Sequence, residues 1–258
     1  MWILIFTSVI TIWVASLCKM FYMSSSSAKY YFLSRGGASG KRNVLLVVAH
    51  PDDESMFFSP TINYLTEMGH NLHILCLSIG NADGLGNIRK DELYRACAEL
   101  KVPHQQVKVL DHPDLQDGFG KVWSHSVMLK VIEEEVMSNR IDAIITFDSY
   151  GISGHCNHRD VHYAVRKLLQ DPSHRDIEAW ELVSTSILRK YSGPVDIWIS
   201  TLSSSKSIDG SAYCILNQQP WRSFHAMSKH SSQWVWFRKL FVSFSSYTYI
   251  NMLQRIDA

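Results

Sequence analysis

From residue 44 onward the chain alternates short, continuously apolar runs with longer stretches of mixed polarity. The runs "VLLVV" (44–48), "LHILCLS" (72–78), "VKVL" (107–110), "AIITF" (143–147) and "LVSTSIL" (182–188) predict strands. Helices are expected between them, over 54–69 with Gly69 as the stop, then over 88–100, 123–138 and 158–170. A Gly/Asn-rich loop, 80–87, separates the second strand from the second helix. Strands that lack polar alternation need cover on both faces. The pattern therefore predicts an α/β fold: a doubly wound, Rossmann-like, mostly parallel sheet with helices on both faces. In such a sheet the ligand crevice lies beyond the carboxyl ends of the strands.

A second pattern precedes the domain. Apolar residues dominate from Trp2 to Cys18, broken only by Thr7, Ser8, Thr11 and Ser16, and Lys19 is the first charge. A membrane-spanning helix needs roughly 17–25 residues. With Phe21, Tyr22 and Met23 the run is long enough for an N-terminal transmembrane anchor over 1–23. A cleaved signal peptide is the competing reading, because the small residues "SSSSA" follow. No positive segment precedes the run, however, and Lys19, Lys29, Arg35, Lys41 and Arg42 all follow it. That asymmetry favours an uncleaved anchor with its C-terminal side in the cytosol. Residues 24–42, rich in Ser, Gly and basic side chains, read as a linker, and 43–258 as the folded domain.

Composition adds limits. A chain of 258 residues can bury one sizeable core. Its 25 basic and 24 acidic side chains nearly balance, which offers no argument for nucleic acid as a partner. The cysteines, Cys18, Cys76, Cys97, Cys156 and Cys214, are scattered and form no CxxC pair, so the domain suits a reducing compartment.

Chemistry concentrates after the first strand, in "AHPDDE" (49–54). An Asp at a helix start can simply cap free N–H groups, which accounts for Asp52 or Asp53 but leaves His50 and the second acid unexplained. The segment after the fourth strand, "FDSYGISGHCNHRDVHYAV" (147–165), should open on the same sheet edge, and carries His155, His158 and His162. The last two are spaced i, i+4 and face one way on a helix. Catalytic zinc sites use three protein ligands plus water. His50 and Asp53 could supply two and a later histidine the third, leaving Asp52 as general base on the water. The combination implies metal-assisted hydrolysis; the mixed His/Asp shell suits zinc, and iron or manganese would also accept it. A second His-Pro-Asp, His112 to Asp114, lacks the consecutive acids and reads as a turn.

"AHPDDE" after a buried strand together with the later "GHCNH" resembles the LmbE-like metal-dependent de-N-acetylases. The closer resemblance is to their eukaryotic branch, the N-acetylglucosaminyl-phosphatidylinositol de-N-acetylases (PIG-L). It extends over the N-terminal anchor, "LCLSIGNADGLGNIRKDEL", "TFDSYGISGHCNHRDVHYAVR", "LRKY" and "SQWVWFRKLFV". The resemblance implies that His50, Asp53 and His158 bind a divalent metal, zinc by preference, and that Asp52 is the general base. It gives His155 the oxyanion and, with it, protonation of the leaving amine. Arg89 matches a substrate-contacting arginine; its alternative is a solvated helix arginine. Asp160 is a candidate for bracing a ligating imidazole. Cys156 is a neighbour only.

The implied reaction removes the N-acetyl group from N-acetylglucosaminyl-phosphatidylinositol, the second step of glycosylphosphatidylinositol-anchor synthesis. Its setting would be the endoplasmic reticulum membrane, single-pass, with the domain on the cytosolic side. A glycolipid substrate gives the anchor a purpose, because it confines both to one surface. The alternatives are another N-acyl sugar as substrate, or an inactive membrane-tethered scaffold. The aromatic segment 232–253 could seat in the headgroup region or close the core.

Overall fold

The structure is a computed structural model that describes residues 1–25, 32–33, 40–118, 120–205 and 211–257. Of the linker expected over 24–42, residues 26–31 and 34–39 lie outside the described residues. Within it, Phe32 is buried and packs edge-on against Trp180 and Tyr213, each at 5.2 Å, so this part docks on the domain.

Helix α1 (Trp2–Ser25) precedes strand β1 (Asn43–Val48), which is buried from Val44 to Val48. The helix expected over 54–69 is broken in two, α2 (Asp53–Met56) and α3 (Ser59–Glu67). Phe57 and Phe58 turn inward at the break to meet Phe147, and Pro60 suits the first turn of α3. Strand β2 (Asn71–Cys76), α4 (Gly86–Glu99), β3 (Val107–Val109), α5 (His125–Asn139) and β4 (Ala143–Phe147) follow near their expected places. A single irregular turn, α6 (Gly151–Gly154), leads into α7 (Cys156–Leu169).

The fifth strand departs from expectation. β5 runs Glu178–Leu182, before the apolar run at 182–188, whose end is instead the short helix α8 (Ile187–Lys190). Both acids of this strand have partners, which is why it tolerates them: Glu178 binds Arg42 at 3.0 Å and Glu181 lies 3.2 Å from His162. Helix α9 (Ile197–Ser205), β6 (Ala212–Leu216), α10 (Pro220–Lys229), α11 (Trp236–Phe244) and β7 (Ile250–Arg255) complete the chain.

Among the described residues the strands form one seven-stranded sheet in the order β3-β2-β1-β4-β5-β7-β6. The first five are parallel, whereas β7 runs antiparallel to both β5 and β6. The direction of winding reverses between β1 and β4, so the crevice falls where these two end. "HPDDE" follows β1 and "GHCNH" follows β4, so the topology brings them together.

Candidate active site

Asp52 sits at the tip of the β1 turn with φ 129° and no capping bond from its side chain, so the helix-cap reading does not describe it. Asp53 does bind backbone: its Oδ2 accepts from the N–H of Ala49 at 3.0 Å and of His50 at 2.8 Å. Its Oδ1 lies 3.2 Å from His158 Nε2, and its Oδ2 3.8 Å from His50 Nδ1. Glu54 is fully buried and bonds the N–H of Asp52, Ser55 Oγ and His230 Nε2, the last at 2.7 Å.

Across the crevice, the loop after β4 is bent by Gly151 and by Ile152, a β-branched residue held at φ 68°. A Cβ on Gly151 would lie 2.9 Å from that of His158, so only glycine fits there. The loop delivers the Gly151 carbonyl 3.2 Å from His158 Nδ1, which leaves Nε2 facing Asp53. Phe147 stacks on the same ring at 4.0 Å. Ring nitrogens of His50, His155 and His158 fall within 4.8 Å of one another. His162 instead bonds the Phe147 carbonyl and Glu181.

Two residues that the sequence reading did not single out, Asn157 within "GHCNH" and Asp117 outside the motifs, brace the cluster. His50 Nε2 lies 3.2 Å from Asn157 Oδ1 and 3.2 Å from Asp117 Oδ1. Asp117 follows the second His-Pro-Asp, which is a 3-10 turn in which His112 accepts from the Asp114 N–H. Its signal was an acid before a glycine in the loop that follows β3. Asp160 has no hydrogen bond to His50, His155 or His158 among the described residues; it accepts from the Trp123 N–H at 3.1 Å, and Trp123 packs on the His50 ring.

Arg89 is buried, which rules out a solvated helix arginine. It donates to the carbonyls of Gly80 at 2.8 Å and Pro51 at 2.9 Å, and reaches Asp117 Oδ2 at 3.3 Å and Asp52 Oδ2 at 3.5 Å. A Cβ on Gly80 would lie 2.5 Å from its Cζ. Asp52 also bonds Arg238, from α11.

Charges reinforce one another. Burial disfavours the His50 imidazolium, but Asp117 and Asp53 outweigh it and raise its pKa. Burial likewise opposes the Asp53 anion, yet His158 and His50 hold it well below the usual carboxylate range. Asp117 is lowered to about 2 against its burial, by His50 and Arg89. His155 is lowered to about 4 by burial and by His158 and His50, and its buried Nδ1 has no hydrogen-bond partner among the described residues.

The donor set fits a divalent cation. Two carboxylates stand among three imidazoles, and the ring edges that face away from the convergence point are held on His50 and His158. Ligating imidazoles are braced in this way. A hard-to-soft N/O set of this kind takes zinc and its neighbours in the series.

The doubly wound fold of this domain is shared with solved deacetylases. The chain shares its fold with N,N'-diacetylchitobiose deacetylase from Pyrococcus horikoshii (TM-score 0.59, 16% identity, 83% of this chain and 84% of that one). Teicoplanin deacetylase Orf2 has the same fold (TM-score 0.58, 12% identity, 83% and 99%). The sequence goes further. It matches the GlcNAc-PI de-N-acetylase family, PIG-L, over residues 45–169. It is 34% identical over 235 residues to a probable N-acetylglucosaminyl-phosphatidylinositol de-N-acetylase of Dictyostelium discoideum, covering 81% of this chain and 91% of that protein. The corresponding protein of Bos taurus is 36% identical over 80% of each chain. The chain belongs to the GlcNAc-PI de-N-acetylase family.

Proposed function

We propose that the chain hydrolyses N-acetylglucosaminyl-phosphatidylinositol to glucosaminyl-phosphatidylinositol and acetate. The observation that carries this reading is the convergence of His50, Asp53 and His158, with Asp52 and His155 beside them, in a chain of this family. His50, Asp53 and His158 would hold the divalent metal, with zinc the best match to the donors. His155 is left for substrate, because no hydrogen bond among the described residues braces its Nδ1. When bound, the ion supplies Lewis acidity and lowers the pKa of water.

Asp52 accepts a proton from the attacking water as the C–O bond forms, and returns it to the departing amine as the tetrahedral intermediate collapses and the C–N bond breaks. His155, unprotonated at pH 7, is not the donor to the amine that the resemblance implied. His155, with a pKa near 4, is neutral at pH 7 and serves as an N–H donor to the tetrahedral oxyanion. Arg89 spans Asp52 and Asp117, and orients both. Helix α1, over Trp2–Tyr22, is long and apolar enough to cross a membrane. We assign it as a single span in the endoplasmic reticulum, with the domain on the cytosolic side where the basic residues lie.

The test is acetate release from the glycolipid by the purified full chain, with and without chelator. Turnover that stops on metal removal and returns with zinc is the expected result. No turnover by fully metallated protein, or equal turnover of unrelated N-acetyl sugars, would overturn it.

A further inference from the structure

The C-terminal half of α1 is packed into the domain. Trp13 meets Tyr249 edge-on at 5.9 Å and crowds Gly193. Ser16 Oγ accepts from Trp198 Nε1 at 2.9 Å, and Met20 is buried beside Ile197. Lys19 Nζ lies 3.7 Å from the Trp198 ring centre. By contrast, Trp2 to Ile12 are exposed.

A helix over Trp2–Tyr22 is about 31 Å long, close to the roughly 30 Å of bilayer hydrocarbon. If it spans, Trp13 to Met20 lie within the cytosolic half of that thickness. Whatever packs on them lies at the same depth.

The outward surfaces there are apolar. On α9, Trp198, Ile199 and Leu202 are 43, 50 and 64% exposed. Both α8 and α11 pack against the same 3-10 turn, Gly193–Asp196, that receives α1. They expose Leu188 at 83% and, from α11, Trp236 at 73% and Phe237 at 54%. One apolar surface thus surrounds the point where the span meets the domain.

We propose that the domain is seated in the cytosolic leaflet, with α8, α9 and α11 forming a lipid-facing collar around α1. The proposal rests on the reading of α1 as a span. Cations accompany the collar: Lys19 over Trp198, and Lys239 5.6 Å from the Trp234 ring, which suits anionic phospholipid headgroups. The collar also adjoins the site. Arg238 of α11 bonds Asp52, Phe241 meets Phe57 at 5.7 Å, and Lys190 of α8 donates to the Ile152 carbonyl at 2.7 Å. A lipid-linked substrate in that leaflet therefore reaches the sheet edge without leaving the membrane.

Photo-crosslinking of the full chain in phosphatidylcholine/phosphatidylinositol vesicles tests the placement. p-Benzoylphenylalanine at Leu188 or Phe237 is expected to capture phospholipid, read by mass spectrometry, about tenfold more than at Met137 on α5. Equal capture at all three, or adducts only to protein, overturns the collar in a chain that resists alkaline carbonate. A chain that carbonate extracts overturns the span beneath it. Separately, Leu202→Asp is expected to raise KM for vesicle-borne glycolipid about tenfold while leaving turnover of water-soluble N-acetylglucosaminyl-inositol unchanged. The same change on both substrates, or none, overturns the proposal.

Discussion

At the scale of residues, Asp52 is held where few non-glycine residues stay, at φ 129°, a cost of order 1–3 kcal/mol that active sites commonly carry. Its carboxylate is fixed between Arg89 and Arg238, so its role is set by position. Asp52→Asn should lower kcat by about 10²–10⁴ with metal content unchanged, read by turnover and by elemental analysis. Asp117→Asn should weaken metal affinity or activity by about 10–100-fold, because His50 loses the partner that orients it. Of these residues, Asp52 was legible in the sequence, since consecutive acids between apolar segments have few structural uses. Asp117 was not. It reaches His50 through a turn whose path no periodicity encodes, and Asn157 was hidden because a buried amide inside a His-rich motif looks like filler. His155 and His158 were legible as a cluster, whereas the separate place of His162 depends on the tilt of α7 against Phe147.

Between elements, the least anticipated link joins α2 to α10. His230 and Glu54 are both fully buried, 2.7 Å apart. Burial opposes the imidazolium, but Glu54 outweighs it and raises the His230 pKa. The pair's contribution is therefore complete below the unfolded pKa of about 6.5 and fades as pH rises through the higher folded value. Thermal stability should decline above neutrality for that reason, and His230→Gln should flatten the decline in melting curves recorded across pH. His230→Ala leaves a buried carboxylate unpaired and should cost about 3–5 kcal/mol in denaturant unfolding. The parallel half of the sheet was readable because β1 to β4 are nearly pure apolar runs. β5, β6 and β7 were harder, since paired acids in β5 and polar residues in β7 disguise strands that lie beyond the wound core.

For the molecule as a whole, α1 is part of the fold and more than a tether. Removing residues 1–25 would expose Tyr249, Ile197 and the Gly193 turn, and uncover the bed of the buried Met20. The truncated domain should lose about 2–4 kcal/mol, measured by urea unfolding in matched detergent. Since all five cysteines are free, reductant should leave the melting temperature of the full chain unchanged. The same packing bears on how the protein is made. Translation produces α1 before the domain, and the Trp198 that bonds its Ser16 follows 182 residues later. The helix must therefore wait, half its surface bare, until the last third of the polypeptide has left the ribosome. With α1 the proposed span, maturation would finish on the membrane, and factors that shield a nascent amphiphilic surface would govern yield more than the stability of the sheet does.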